Sequence, residues 1–141
     1  MVGGILMTNK QMANKQMNTN NKKQIKDNDI HERIYKFVIR VITLTKALPK
    51  NPQNDVIIYQ LVKSATSMGA NDQEADGAES RKDFIAKYSI VKKETKETNY
   101  WLRVIKDTNP NIERRLASLQ QEGLEIVRVI SAIIISAKRK I

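Results

Sequence analysis

Ser80–Thr108 reads SRKDFIAKYSIVKKETKETNYWLRVIKDT, and one line of residues runs through it: Phe84, Tyr88, Val91, Thr95, Thr98, Leu102 and Ile105. The gaps alternate four and three without a break. That is the rhythm of a helix packed along its whole length against other helices; a strand would repeat every second residue. Ser80 stands where an N-cap is needed, with Asp83 three residues later as an acidic variant of the capping box. Asn109-Pro110 ends the helix.

The same rhythm continues on both sides. A second helix is expected from about Asn54 to Asp76, on the seam Ile58, Leu61, Ala65, Met68, Asp72, Ala75, with Gly77 as its C-cap. Before it, a helix starting near Asp27 or Asp29 carries Ile30, Ile34, Phe37, Val41, Leu44 and Leu48, and Pro49 and Pro52 stop it. After it, Pro110 suits a first turn, and Ile112, Leu116, Leu119, Gly123, Ile126, Ile130, Ile133 and Ala137 follow in step. Lys138, Arg139 and Lys140 suit the negative end of that last helix. At 1.5 Å per residue each helix is about 30 to 42 Å long. Four helices of similar length with short connections imply an all-α, antiparallel, up-down-up-down four-helix bundle over residues 28–141.

Residues 1–27 are rich in Asn, Gln, Lys and Met and repeat themselves in NKQMANKQM, Asn9 to Met17. Too little apolar surface is present there to offset ordering entropy, so a disordered tail is expected. Met7, Met12 and Met17 are alternative starts for the chain.

The chain of 141 residues carries 25 Lys and Arg against 15 acids, a net charge of +10. Residues 1–26 hold five lysines and no acid, which leaves the remainder at 20 against 15, or only +5. A basic balance suits nucleic acid, an acidic protein or an anionic membrane surface. With no cysteine, disulfides, thiolate metal sites and a cysteine nucleophile are excluded. No apolar run is long enough to span a bilayer, and no signal peptide is evident, so a cytoplasmic location and no membrane partner are expected.

Filling the core leaves residues over. Tyr35, Val38 and Ile42 form a second apolar line on the first helix, and Leu124, Val127 and Ile134 another on the fourth. They either broaden the core face or meet a second copy of the chain. On the third helix Lys92, Lys96, Asn99, Arg103 and Lys106 share one flank of the seam, and Arg33, Lys36 and Arg40 make a similar line on the first. Such lines are either solvated faces or phosphate-contacting surfaces. With few aromatics at hand, contact with the nucleic-acid backbone is expected rather than base reading. Glu94 and Glu97 flank the seam opposite Ser64, Ser67 and Asn71, and Asn71, Glu94 and Glu97 are expected to form a structural polar network.

No chemistry-bearing constellation emerges. His31, the single histidine, reads as exposed or capping. Glycine-rich phosphate loops, zinc spacings, serine elbows and Glu-x-x-His pairs are absent from the sequence, so no catalytic, cofactor or metal residues are assigned and an enzyme is not expected.

The segment SATSMGANDQEADGAESRKDFIAKYSIVKKETKETNYWL, Ser64 to Leu102, resembles the four-helix-bundle family of 23S ribosomal RNA intervening-sequence proteins. The resemblance rests on Ser-Ala-Thr-Ser with Gly69-Ala70-Asn71, Glu74-Ala75, Ala78-Glu79-Ser80 with Lys82-Asp83-Phe84, Lys93-Glu94, Glu97-Thr98 and Tyr100-Trp101-Leu102. Asp72 departs from it, since the family usually carries an apolar or aromatic residue there. The resemblance implies a four-helix bundle and supplies no catalytic residues. Through a relative, the accessory protein of diversity-generating retroelements, it implies a basic homopentamer that binds nucleic acid and a reverse transcriptase. Two functions therefore stand open: an oligomeric scaffold binding RNA or DNA through Lys92, Lys96, Arg103 and Lys106, or a protein-interaction module, such as a reverse-transcriptase accessory subunit, that binds no nucleic acid.

Overall fold

The computed structural model describes residues 8–140, with the side chains of 13–29 left aside. Residues 1–7 of the expected disordered tail, Met7 among them, therefore lie outside the described residues, as do the side chains of Met17, Lys15, Lys22, Lys23 and Lys26. The elements are α1, Asn9–Thr45; α2, Pro52–Asp76; α3, Arg81–Thr108; a 3₁₀ turn, Pro110–Ile112; and α4, Glu113–Arg139. Among the described residues there is no strand. Packing divides the chain after Ile30.

The backbone of α1 begins at Asn9, ahead of the expected start at Asp27 or Asp29. A local reason is visible at its end. Thr8 and Gln11 form a capping box, Gln11 N–H donating to Thr8 Oγ1 at 3.1 Å and Thr8 N–H to Gln11 Oε1 at 2.8 Å.

From His31 onward most of each seam is buried, with Ile58, Phe84 and Ala137 half-buried. Ile34, Phe37, Val41, Leu44 and Leu48 of α1 and the following loop are buried, as are Leu61, Ala65, Met68 and Ala75 of α2. Tyr88, Val91, Leu102 and Ile105 of α3 meet Leu116, Leu119, Ile126 and Ile130 of α4 in the same core. Near the end of α4 the buried line moves from Ile133 to Ile134, the drift expected when a straight helix of 3.6 residues per turn leaves a seven-residue repeat.

Helix ends follow local chemistry. Asn51 accepts from Asn54 N–H at 2.8 Å and Pro52 opens α2, two residues earlier than its seam suggested. Ser80 accepts from Asp83 N–H at 3.0 Å, the expected cap of α3. Gly77 caps α2 at φ −96, so the left-handed freedom of glycine is not used there.

Side-chain bonds between helices give the topology. His31 of α1 meets Asp72 near the end of α2, and Asn54 at the start of α2 meets Asn109 after α3. Arg40 of α1 donates to Ser118 of α4 at 3.1 Å, and Arg81 opening α3 donates to the Lys140 carbonyl after α4. With α1 counted from His31, start thus meets end at each of the four neighbouring pairs, α1–α2, α2–α3, α3–α4 and α4–α1, which is the antiparallel up-down-up-down order.

Candidate nucleic-acid interface and a buried polar ladder

The α2–α3 seam contains polar residues because each has a partner at its own level. Thr98 Oγ1 lies 2.8 Å from both Ser64 Oγ and the Glu94 carbonyl, and Ser64 donates to the Leu61 carbonyl at 3.0 Å. Thr95 donates to the Val91 carbonyl at 2.7 Å. The amides of Asn54 and Asn109 face each other at 3.3 Å, and Asn54 also donates to the Pro49 carbonyl at 2.8 Å. Paired in this way, buried hydroxyls and amides escape the desolvation penalty that would otherwise make them costly.

Asp72 is the one carboxylate among these buried groups, at 0% exposure. Its carboxylate accepts from the Tyr88 hydroxyl at 2.7 Å, and His31 Nδ1 lies 2.8 and 3.0 Å from its two oxygens. His31 Nε2 points to Asp76 at 3.6 Å, too long for a good hydrogen bond. Three helices are tied by one carboxylate. Burial, and next the hydrogen bond to Asp72, push the Tyr88 phenol well above its ordinary value.

This ladder is not the network that the sequence suggested. Asn71 donates within its own helix, to the Ser67 carbonyl at 2.9 Å. Glu97 accepts from Trp101 Nε1 at 3.4 Å, and half-buried Glu94 contributes its backbone carbonyl to Thr98. No hydrogen bond joins Asn71, Glu94 and Glu97 among the described residues. Asp72 and His31 form the tie instead, where the sequence marked Asp72 only as a departure from the family and His31 as exposed or capping. The findable signal was an acid in a seam position, which demands donors at the same height on antiparallel neighbours.

The basic residues divide into two groups. On α1, Arg33 pairs with Glu122 and with Glu125, the latter at 3.0 Å, Arg40 is held by Ser118, and Lys36 lies 4.0 Å from Glu32. On α3, Lys96 and Arg103 are exposed and Lys92 and Lys106 half-buried, and none of the four forms an ion pair or hydrogen bond among the described residues. Their flank is the one toward α4. Asn99, in the middle of the stripe, packs on Gly123, where an added Cβ would lie 2.0 Å from Asn99 Oδ1 and 3.1 Å from Phe37 Cζ. Glycine is required for so close an approach. The Asn99 Oδ1 is buried there without a partner.

Of the second apolar lines, Val38 and Ile134 belong to the core, Ile42 and Val127 are half-buried, and Tyr35 and Leu124 stay exposed. Ile39, Val56 and Tyr59 add exposed apolar surface on α1 and α2. No described helix is long and apolar enough to cross a membrane.

The comparisons agree with this architecture. A protein of unknown function from the S23 ribosomal protein family of Bacteroides thetaiotaomicron, solved by crystallography, superposes with a TM-score of 0.69 at 34% identity, covering 74% of this chain and 97% of that one. No curated protein matches the chain. The family described as 23S rRNA-intervening sequence protein matches residues 26–132. That match spans most of the chain, and the chain belongs to the 23S rRNA-intervening sequence protein family.

Proposed function

We propose that this protein is a non-enzymatic, cytoplasmic, basic scaffold that assembles with copies of itself and binds nucleic acid along the α3 flank. One observation carries the reading. Lys92, Lys96, Arg103 and Lys106 stand on a single flank without acidic partners among the described residues, whereas on α1 Arg33 pairs with Glu122 and Glu125, Lys36 lies near Glu32 and Arg40 is held by Ser118. A row of cations without acidic partners is what phosphate oxygens require, and the α1 row contributes less because Arg33, at its start, is already paired with two carboxylates. The exposed apolar residues of α1 and α2, Tyr35, Ile39, Val56 and Tyr59, support self-association, with a pentamer as the expected state. A reverse transcriptase is the protein partner that this reading favours.

Nucleic-acid affinity measured against salt tests it. Four phosphate contacts per protomer correspond to a slope of log K on log salt of about −3.6 for duplex and about −2.8 for a single strand. The variant Lys92→Glu, Lys96→Glu, Arg103→Glu should lose binding while light scattering shows the parent's assembly state. Equal affinity in variant and parent refutes the phosphate face. A concentration-independent monomer mass refutes self-association. Retained binding of an acidic partner protein with no nucleic-acid affinity would instead establish the interaction-module reading.

A further inference from the structure

We propose that the α3 flank takes single-stranded nucleic acid and stacks a base on Tyr100; this rests on the phosphate-binding reading above. Tyr100 is 57% exposed on α3. Lys96 precedes it by four residues and Arg103 follows it by three, so both lie about one helical turn away and border its ring on the helix surface. Tyr35 and Tyr59, the other strongly exposed tyrosines, have no such pair of unengaged cations at those spacings. The Tyr100 ring is also held in place. Trp101 meets it edge-on, with centroids 4.9 Å apart and planes at 69°, and Trp101 is anchored by Glu97. The acid nearest to Tyr100 in sequence is thereby turned to the indole rather than to the cations.

A pre-oriented aromatic face bordered by cations is the arrangement that binds a strand through stacked bases and phosphates without reading base identity. A duplex hides its base faces in the stack, and an oligonucleotide without bases offers only charge. Tyr100 therefore separates an oligoadenylate from an abasic strand of the same charge, two probes that the lysines alone treat alike.

Trp101, the single tryptophan, reports on the site. Its fluorescence is followed while the full-length protein is titrated with a 12-nucleotide oligoadenylate (as RNA and as DNA), a 12-base-pair duplex and an abasic 12-mer. The oligoadenylates are expected to change Trp101 emission and to bind about 5-fold or more tighter than the abasic strand. Tyr100→Leu should lose that advantage and bind both strands alike, with an unchanged melting temperature, while Tyr100→Phe should keep it. The inference is overturned if Tyr100→Leu binds oligoadenylate as tightly as the parent, or if the duplex binds more tightly than the single strands. The two layers fail differently. Charge reversal at Lys92, Lys96 and Arg103 should abolish binding of every probe including the abasic strand, and a parent that binds no probe overturns both readings.

Discussion

Tyr88→Phe removes one oxygen from the centre of the bundle, and its consequence can be worked through. The Tyr88 hydroxyl donates to Asp72 at 2.7 Å, and both residues are essentially inaccessible. A hydrogen bond to a charged acceptor contributes about 1.5 to 3 kcal/mol. The lower half applies here, because Asp72 keeps His31 at 2.8 Å and phenylalanine preserves the ring stacked 4.6 Å from Phe84. Taking about 2 kcal/mol, and about 3 to 6 °C per kcal/mol for a bundle of this size, the variant should melt about 6 to 12 °C below the parent at pH 7. Alkaline pH then narrows the gap. The folded state holds the Tyr88 proton more tightly than the unfolded chain does, so this contribution is complete below the ordinary tyrosine value near 10 and is lost above it. The parent should forfeit about 1.4 kcal/mol by pH 11 through Tyr88, a share absent from the variant, so the two should nearly converge by about pH 11.5. Lys87, raised by its hydrogen bond with Glu74 and then by that residue's charge, acts in the same direction but is common to both proteins. Thermal denaturation followed by circular dichroism at 222 nm between pH 7 and 11.5 measures both quantities. Melting within about 2 °C at pH 7, or parallel curves above pH 10, would refute the assignment of Tyr88 and Asp72 as a stabilising pair.

Two further outcomes follow from local geometry. Asn99→Ala combined with Gly123→Ala should be more stable than the parent by about 1 kcal/mol, because the unpartnered amide is removed and alanine is the better helix residue at 123, provided Phe37 Cζ, 3.1 Å from the new Cβ, gives by a few tenths of an ångström; a double variant melting below Asn99→Ala alone would show that Phe37 does not give. Ser80→Ala should cost about 1 kcal/mol by leaving Asp83 N–H uncapped, and an unchanged midpoint in urea would mean that the cap contributes nothing.

Most of the fold was legible because burial on a helix repeats locally. The line from Tyr88 to Ile105 could be placed inside without reference to any other helix, and even Thr95 and Thr98 were assigned to it by spacing alone. The candidate interface was legible only by half. Lys92, Lys96, Arg103 and Lys106 share a flank whatever surrounds them, since position on a helix follows from sequence spacing. Arg33 had the same appearance, yet Glu122 and Glu125, some 90 residues away in sequence, engage it. The glutamates at 94 and 97 looked like natural members of an inward network, but the seam is satisfied by hydroxyls and amides at matched heights, and Glu97 serves Trp101.

The heptad spacing and the helix stops were enough for four helices, their inward faces and the row of charge on α3, because each depends on residues within a few turns of one another. Partner choice needed the folded molecule. That His31 and Tyr88 converge on Asp72, that Gly123 lets Asn99 press against α4, and that Arg33 meets Glu122 and Glu125 while the α3 row has no acidic partner among the described residues all depend on which helix lies beside which and at what height. Those distances arise from chain segments far apart in sequence, and no local periodicity encodes them.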